Sequence, residues 1–381
     1  MTPRTKWTIT LVSIVVVLGA ASAVVAVAIS NQPTTSTSPP AETFDPALPG
    51  PVSPVARPTE IATGLEAPWS ILRLESGSTL ISERDSGTIV ELTADGEQRD
   101  VGTVEGVVHV GEGGLLGLAT QPGDESAVFV YLTAASDNRI VRIELTGAAG
   151  SYALGESSDI LTGLEKASNH DGGRIAFGPD GMLYATVGDA SKRQSSQDLD
   201  SLNGKILRMS PTGSAPDDNP FPDSLVYSYG HRNPQGIAWD DNGQLFAAEF
   251  GQNTWDEFNR IDAGGNYGWP EVEGIADGDE FIDPLLQWAT DDASPSGLAY
   301  VRGTFFMASL KGERIWAIYT DDEGGAGTFA WFEGEYGRIR DVTAGPDGTL
   351  WFLTNNTDGR GSPAADDDRL IQSSLGELVE G

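Results

Sequence analysis

One local pattern recurs six times after residue 64, and it constrains the fold more than any other feature of the chain. In each instance a turn rich in Asp, Gly and Pro precedes a short strand of alternating apolar residues, which ends in small or acidic residues. Turns of the D-G and N-G type beside period-2 alternation indicate β-hairpins. The six repeated strands are predicted to begin near residues 79, 127, 182, 244, 304 and 349.

The spacing of these strands predicts the architecture. Neighbouring starts are separated by 45 (304 to 349) to 62 residues (182 to 244). A period of about 50 residues is typical of radial repeats in which each repeat is one four-stranded sheet. The sequence therefore predicts an all-β fold, a six-bladed β-propeller of four-stranded antiparallel blades. The alternative is a pair of β-sandwiches, which would not repeat one turn chemistry this regularly.

The N-terminus predicts export. Arg4 and Lys6 precede the uncharged apolar run 9–29, whose 21 residues suffice for a helix that spans one bilayer core. Basic residues before such a run favour export of the rest of the chain. We expect residues 1–29 to be a signal peptide or a membrane anchor, and the protein to be extracytoplasmic, either secreted or held at the outer face of the cytoplasmic membrane. Ala21-Ser22-Ala23 offers a cleavage site, so both fates stay open.

Residues 30–60 have a different composition, with eight prolines and many Ser and Thr residues. A segment with so few apolar residues cannot offset its ordering entropy, so it is predicted to be a flexible, extended linker. An ordered arm over residues 44–55 is the alternative. The propeller domain is then predicted to occupy residues 61–381.

The charge of the chain excludes several classes of partner and cofactor. It carries 23 Lys and Arg residues against 56 Asp and Glu residues, a formal net charge of −33, and it has no cysteine. A surface this acidic repels a phosphate backbone, so we expect no nucleic-acid partner. The lack of cysteine excludes disulfides, thiolate metal sites and iron–sulfur clusters.

In a propeller the ligand usually lies at the mouth of the central channel, so residues at strand ends are the candidates for a site. His170 and Asp189 are the first such pair. The turn 178–181 between them brings both side chains to the same end of adjacent strands. A histidine that is oriented by a carboxylate is more basic and suits a general base. The alternative is a structural histidine that is hydrogen-bonded within a turn.

Four basic residues are prominent against the acidic background. Arg232 and Asn233 lie in the segment YGHRNPQG, where the Asn-Pro step favours a turn that aims both side chains. Lys311 follows the strand FMASL, and Arg338 and Arg340 share one face of a strand because they are two residues apart. Together the four cations could form a pocket for a compact polyanion. The alternative is a set of surface ion pairs.

Oxygen-rich turns follow the fourth repeated strand. The segments EFGQNTWDE (249–257) and GGNYGWP (264–270) combine Asp, Glu and Asn with irregular backbone. Such a set of oxygen ligands suits calcium, although the spacing is not that of the helix–loop–helix calcium loop. The alternative is an aromatic corner beside a solvated acidic loop.

Eight stretches resemble one known family, in the order in which that family shows them. They are GLEAPWSI (64–71), ERDSGTI (83–89), GEGGLLGLA (111–119), NHDGGRIAFGPDGMLYATVGDA (169–190), GKILRM (204–209), YSYGHRNPQGIAWD (227–240), AAEFGQNTWDEFNRIDAGGNYGWP (247–270) and GRIRDVTAGPDG (337–348). Over residues 61 to about 358 the chain is similar to the soluble quinoprotein glucose/sorbosone dehydrogenases, also called aldose sugar dehydrogenases. These are six-bladed propellers that use pyrroloquinoline quinone (PQQ) and calcium.

The resemblance implies a role for the candidate residues of the third and fourth repeats. His170 matches the general base, which takes the proton of the sugar C1 hydroxyl while hydride passes to C5 of the quinone. Asp189 matches the supporting carboxylate. Arg232 matches the residue that polarises the C5 oxygen, and Asn233 lies beside it at the cofactor.

The resemblance also implies how cofactor and calcium are held. Lys311, Arg338 and Arg340 match the basic residues that bind the carboxylates of the cofactor. Gly251 and Gln252 match positions whose backbone oxygens bind calcium. The implied function is oxidation of an aldose, a small-molecule substrate, at C1 to the lactone, with electrons passed to an external acceptor.

Glu112 departs from the family's pattern, because a cofactor-contacting glutamine is common at that place. A carboxylate there would either repel the cofactor or add a calcium or proton-linked contact. It favours one alternative, a redox-inactive propeller that acts as a cell-surface sugar- or protein-binding module. A calcium-dependent lactonase is a further alternative, but it needs carboxylate and Asn ligands where this sequence offers cations.

Overall fold

The computed structural model describes residues 51–276, 278–321 and 324–378. It confirms the six-bladed propeller: six four-stranded antiparallel sheets follow one another around a central channel. Two short strands precede the first blade, β1 (Val52–Pro54) and β2 (Thr59–Ala62). Within these ranges the only helices are two 3₁₀ turns, Arg193–Ser196 and Pro346–Gly348, and none is long and apolar enough to cross a membrane.

The first three blades are each built from four consecutive strands. Blade 1 contains β3 (Pro68–Arg73), β4 (Thr79–Glu83), β5 (Thr88–Leu92) and β6 (Gln98–Thr103). Blade 2 contains β7 (Leu115–Gln121), β8 (Asp124–Thr133), β9 (Asn138–Thr146) and β10 (Ala153–Leu164). Blade 3 contains β11 (Ile175–Phe177), β12 (Leu183–Val187), β13 (Lys205–Met209) and β14 (Val226–Tyr229).

The last three blades complete the ring. Blade 4 contains β15 (Pro234–Trp239), β16 (Leu245–Glu249), β17 (Trp255–Ile261) and β18 (Leu286–Ala289). Blade 5 contains β19 (Pro295–Val301), β20 (Thr304–Ser309), β21 (Arg314–Thr320) and β22 (Ala326–Trp331). Blade 6 contains β23 (Ile339–Ala344), β24 (Leu350–Thr354), β25 (Leu370–Ser373) and, at its outer edge, β2; the last strand, β26 (Leu375–Glu377), pairs with β1.

The repeated strand of the sequence is the second strand of every blade. The six second strands begin at residues 79, 124, 183, 245, 304 and 350, within three residues of the predicted starts. With the exception of the start of β8, their residues are buried on both faces, because a neighbouring blade covers each side. The signal was strong here because burial on both sides demands apolar residues throughout.

Six apolar clusters, one between each pair of neighbouring blades, form the core. Successive side chains of a strand point to opposite faces of the sheet, so the residues of one strand pack into two different clusters. Phe305 packs towards blade 4, whereas Phe306, the next residue of β20, packs towards blade 6. The first strands β3, β7, β11, β15, β19 and β23 line the channel. First strands of neighbouring blades pack side by side, except between blades 3 and 4, where β15 packs against β12.

The structure corrects the predicted boundary of the linker. Residues 51–60 fall in the segment that we expected to be flexible, yet they contain β1 and part of β2. Val52 is fully buried, and its N–H and C=O both hydrogen-bond the Thr304 hydroxyl at 2.8 and 3.0 Å. The reason is ring closure: β2 supplies the fourth strand of blade 6, which the C-terminal part lacks. The predicted signal peptide or anchor, residues 1–29, and residues 30–50 of the predicted linker 30–60 lie outside the described residues.

Candidate active site at the channel mouth

Strand direction gathers polar side chains at one mouth of the channel, the face at which the first strands of the blades begin. His170 and Arg232 precede the first strands β11 and β15, and Asp189 and Glu249 stand at the ends of the second strands β12 and β16. Because the first and second strands are antiparallel, the start of one lies beside the end of the other. His170 and Asp189 thus lie at the same end of adjacent strands, as predicted.

The His170 imidazole is held by a buried carboxylate. Its Nδ1 lies 2.7 Å from Oδ1 of Asp189, which also accepts the Ser191 N–H at 2.7 Å. The other oxygen, Oδ2, accepts the indole N–H of Trp269 at 2.8 Å. Burial raises the pKa of Asp189, but the hydrogen bonds from His170 and Trp269 outweigh it and hold that pKa below its ordinary value. Asp189 therefore stays ionised and fixes the ring.

Arg232 contacts the other side of the same ring. Its Nη2 lies 2.7 Å from Nε2 of His170. A guanidinium can only donate, so Nε2 must be the acceptor and the imidazole proton is assigned to Nδ1, from where it is donated to Asp189. Arg232 also donates to the Phe250 carbonyl at 3.2 Å and to Oε1 of Gln252 at 3.1 Å. Burial lowers the pKa of Arg232, with Asp189 and Glu249 opposing that effect.

A second histidine–carboxylate pair, His231 and Glu249, holds the backbone of Arg232. Oε1 of Glu249 accepts the Arg232 backbone N–H, and Oε2 lies 2.7 Å from Nδ1 of His231. Nε2 of His231 lies 2.8 Å from the Ser228 hydroxyl, and the ring stacks on Tyr267. Ser228 and His231 are fully buried. This pair fixes the backbone that carries Arg232 and does not itself reach the mouth.

Three guanidinium groups from blades 1 and 6 gather around one residue, Asp358: two contact its carboxylate and one its backbone carbonyl. Nη2 of Arg338 lies 2.9 Å and Nη2 of Arg340 3.8 Å from Oδ2 of Asp358, and Nη2 of Arg84 donates to the Asp358 carbonyl at 3.4 Å. Burial first, and then the Arg84 charge, lower the pKa of Arg340 to about 9. Arg338 directly precedes β23 and Arg340 lies within it, and their guanidinium groups come together on the Asp358 side chain.

This basic cluster, Arg84, Arg338 and Arg340, suits an anion. Asp358 is shared among them, and the remaining carboxylate contact is that of Arg84 with Asp85 at 2.6 Å. Nε of Arg338 is buried and has no hydrogen-bond partner among the residues that the structure describes. A buried donor without a partner is costly, and a carboxylate oxygen would satisfy it. The residues present therefore fit a cofactor that carries carboxylates.

Lys311 takes no part in that cluster. Its side chain is 59% exposed, and its ammonium group pairs with Asp291. Lys311 forms no other ion pair with the residues that the structure describes. Its geometry therefore matches the alternative of a surface ion pair. Its position just beyond β20 still places it on the face of the channel mouth.

Asn233 and Glu112 hold the backbone around His170. Oδ1 of Asn233 accepts the Gly172 N–H at 3.0 Å. Oε2 of Glu112 accepts the His170 N–H at 3.0 Å, and its Oε1 pairs with Arg360 at 3.0 Å. Burial raises the pKa of Glu112, but these two partners lower it below its ordinary value. The Glu112 charge is therefore paired within the protein, and its carboxylate supports the backbone of His170, which has a left-handed φ of 63°.

The loop that follows β16 carries Gly251 and Gln252. The Gly251 N–H donates to Oδ1 of Asp256 at 2.8 Å, and the Gln252 side chain reaches Arg232. In the part of the chain that the structure describes, no group of three or more His, Asp or Glu side chains could hold a metal ion. A cation at this loop would accordingly depend on backbone oxygens, which are ligands that calcium accepts.

Several residues of the site were missed by the sequence analysis. Arg84 and Asp358 lie just beyond the ends of second strands, where the same reasoning that found Asp189 would have found them. Glu249 lies in the oxygen-rich segment 249–257 that was expected to suit calcium, but its contact with the backbone of Arg232 was not predicted. Trp269, which holds Asp189, gave no comparable signal, because it reaches the site from a loop that is 80 positions away in sequence.

Comparisons with known proteins show what the chain is similar to. The family model described as glucose/sorbosone dehydrogenase matches residues 65–365. The aldose sugar dehydrogenase YliI of Escherichia coli (strain K12) is 29% identical over 77% of this chain and 89% of its own. Quinoprotein glucose dehydrogenase B of Acinetobacter calcoaceticus is 32% identical over 57% of this chain, and the match spans only 53% of that relative's length.

A solved structure extends the similarity to three dimensions. The PQQ-bound form of an aldose sugar dehydrogenase from Streptomyces coelicolor is 48% identical, with a TM-score of 0.81. The match covers 86% of this chain and all of that one.

Proposed function

The chain belongs to the glucose/sorbosone dehydrogenase family, and from that premise we propose that it is an exported quinoprotein that oxidises aldose sugars at C1 to the lactone. PQQ and calcium are its proposed cofactors, and an external acceptor receives the electrons. Export to the outer face of the membrane or beyond is proposed from the sequence of residues 1–29. The observation that carries the proposal is the His170 ring, held by Asp189 and contacted by Arg232 at the mouth that also contains the basic cluster.

The proton chemistry is assigned to His170. Its Nε2 carries the lone pair and faces Arg232, while Nδ1–H is donated to Asp189. When a sugar hydroxyl takes the place of the Arg232 donor at Nε2, that nitrogen can accept the hydroxyl proton. Asp189 then faces an imidazolium, which a buried carboxylate stabilises. Arg232, released from Nε2, keeps its cation beside the reacting atoms.

The cofactors are assigned to the other groups of the mouth. Arg338 and Arg340, with Arg84, would hold the carboxylates of PQQ, and the partnerless Nε of Arg338 offers one of the donors. The backbone oxygens of Gly251 and Gln252 would hold calcium. When bound, the quinone supplies the hydride-accepting chemistry, which no side chain provides. Arg232 stands where it would stabilise negative charge that develops on the cofactor.

Glu112 does not favour the alternative of a redox-inactive binding module. Its two oxygens are occupied by the His170 N–H and by Arg360. A carboxylate with paired charge repels an anionic cofactor less than a free one would. Its contact with the His170 backbone instead gives it a place in the proposed site.

The proposal is tested with the purified protein, PQQ and calcium, by following cofactor absorbance and then dye reduction on addition of glucose or other aldoses. The wild type should bind PQQ and reduce the dye only when a sugar is present. His170→Ala should lose at least about 10²-fold in turnover, because general-base catalysis contributes about 10²–10⁴-fold. PQQ binding should be nearly unchanged.

His109→Ala is the matched control, because His109 also contacts a carboxylate, Asp85 at 3.2 Å, but has no contact with Asp189 or Arg232. It should keep turnover. Full activity of His170→Ala would remove His170 from the mechanism. A wild type that binds no PQQ would reject the proposal and favour the binding module.

A further inference from the structure

We propose that Glu273 is a positioning residue that aims the carbonyl oxygens of Gly251 and Gln252 at the calcium ion; this inference rests on the proposed function. Glu273 lies shortly after Trp269 and Pro270, about 20 residues from the segment that it contacts. No feature of the sequence singled it out. Its role follows from how one of its oxygens is bonded.

Four consecutive backbone N–H groups converge on Oε1 of Glu273. They belong to Gln252, Asn253, Thr254 and Trp255, at 2.7, 2.9, 2.9 and 3.2 Å. Such a concave run of amides is an anion-binding arrangement, and here the anion is a side chain of the same protein. A single oxygen thereby fixes the orientation of four successive peptide groups.

The orientation of the N–H groups determines that of the carbonyls. In a planar trans peptide the C=O of one residue points opposite to the N–H of the next. Because the N–H groups of Gln252 and Asn253 point at Glu273, the carbonyl oxygens of Gly251 and Gln252 point away from it. Within the described ranges no hydrogen bond ends on either oxygen. Both oxygens therefore keep their lone pairs available for a cation.

The preceding peptide follows the same rule, and its carbonyl faces the site. The Gly251 N–H donates to Asp256, so the Phe250 carbonyl points away from Asp256, and it accepts a hydrogen bond from Arg232. Arg232 lies at the channel mouth beside His170. The loop thus directs its N–H groups towards carboxylates. Its first carbonyl, that of Phe250, points towards the site.

Glu273 is itself fixed in place. The N–H of the next residue, Gly274, donates to the buried Glu257 at 2.7 Å, and the Ile275 N–H donates to Gln287 at 2.8 Å. A side chain at Gly274 would meet Gln287 at 2.4 Å and Trp255 at 2.6 Å. The turn is therefore pressed against blade 4, and Glu273 cannot move far from the loop that it organises.

The test measures the calcium concentration at the midpoint of the rise in melting temperature, with PQQ present, and compares Glu273→Ala with Glu273→Gln. Both variants lose the same charge, but glutamine keeps an oxygen that can accept the amides. Glu273→Ala should shift the midpoint about 10- to 100-fold upwards, as is typical when a partner of a metal ligand is removed. Glu273→Gln should shift it clearly less.

Asp240→Ala is the matched control. Asp240 also accepts two backbone N–H groups, those of Asn242 and Gln244 at 3.0 and 2.8 Å, but it does so at the opposite end of β16. Its calcium midpoint should equal that of the wild type.

Two results would overturn the inference alone, with calcium binding of the wild type intact. Equal midpoints for Glu273→Ala, Glu273→Gln and the wild type would show that Glu273 does not aim the carbonyls, although calcium binds. Equal upward shifts for the two Glu273 variants would show that only the charge acts. If the wild type itself showed no calcium response with PQQ present, the calcium part of the proposed function would fall together with this inference. The wild-type titration therefore distinguishes failure of the proposed function from failure of the positioning role.

Discussion

At the residue scale, carboxylates position the groups that would react. Asp189 holds the His170 ring and Glu112 holds its backbone N–H, while Glu249 holds the backbone N–H of Arg232. In each of them the second oxygen bonds another group of the site wall. A hydrogen bond to a charged acceptor contributes about 1.5–3 kcal/mol, so these contacts are strong enough to hold one geometry.

Arg338 and Arg340 should determine the affinity for PQQ. Each guanidinium would lose a charge-assisted hydrogen bond to a carboxylate, and a loss of about 1.5–3 kcal/mol per bond corresponds to about 10- to 100-fold in affinity. Changing both to Ala should therefore raise the dissociation constant at least about 100-fold in an absorbance titration. Arg260→Ala is the control, since Arg260 is a half-exposed residue that pairs with Asp262. Unchanged PQQ affinity in the double variant would contradict the role of the basic cluster.

Asp171, the neighbour of His170, should make stability depend on pH. It is buried, and its Oδ2 accepts no hydrogen bond from the described part of the chain. Burial raises its pKa to about 6. A carboxyl group whose pKa is raised on folding contributes stability that is full below its unfolded pKa and is lost as the pH rises through about 6. Asp171→Asn removes that titration.

The stability of Asp171→Asn relative to the wild type should increase between pH 4.5 and pH 7.5 by about 1–3 kcal/mol, since each pKa unit corresponds to about 1.4 kcal/mol. Thermal unfolding of both proteins across this range gives the difference, in which the other titrating groups cancel. Asp124→Asn, at the exposed start of β8, should show no such trend. Parallel curves for Asp171→Asn and the wild type would show that Asp171 does not titrate in this range.

At the scale of strands and blades, the sequence predicted what burial dictates. All six second strands were located from the sequence. A neighbouring blade covers each face of such a strand, so the residues on both faces must be apolar. The outer strands β6, β10 and β22 are largely exposed, so burial does not require apolar residues there and their sequences gave no signal. The pairing of β2 with β25 was missed for another reason: it joins the two ends of the chain, and local patterns carry no information about such a contact.

The same contrast between inner and outer strands predicts the cost of core substitutions. Phe305 of β20 is fully buried between blades 4 and 5, with its ring 4.5 Å from that of Phe246. Phe305→Ala should lower the free energy of unfolding by about 3–5 kcal/mol, through lost burial and a cavity. Phe329→Ala is the control, because Phe329 lies on the outer strand β22 of the same blade and is 58% exposed. Denaturant unfolding should show a loss of less than about 1 kcal/mol for this control; equal losses would contradict this account of the core.

At the scale of the whole molecule, a strongly negative overall charge coexists with a local cluster of positive charge at the channel mouth. The net charge of −33 arises from residues 61–381, which carry 20 basic and 53 acidic residues, since the first 60 residues contain three of each. The basic cluster at the mouth is a local exception. Its position required the folded ring, because Arg84 and Arg338 are 254 positions apart in sequence (84 to 338) and meet only when blade 6 closes on blade 1.

The overall charge and the basic cluster act over different distances and should therefore respond differently to salt. The Debye length is about 30 Å at 0.01 M salt and about 10 Å at 0.1 M. At low salt the overall negative charge governs the approach of an electron acceptor from solution, whereas the basic cluster acts only at close range. We therefore expect the reduced enzyme to react faster with cationic acceptors than with anionic ones at low ionic strength.

The rate constant for a small cationic acceptor should fall at least about tenfold as the salt concentration rises from about 0.01 M to about 0.2 M, and that for an anionic acceptor should rise. A neutral dye is the control and should show little dependence, because screening acts only between charges. Stopped-flow oxidation of sugar-reduced enzyme measures all three. If the anionic acceptor were the fastest at low salt, the local field of Arg84, Arg338 and Arg340 would outweigh the charge of the whole molecule. Electron transfer would then be steered by the mouth and not by the surface.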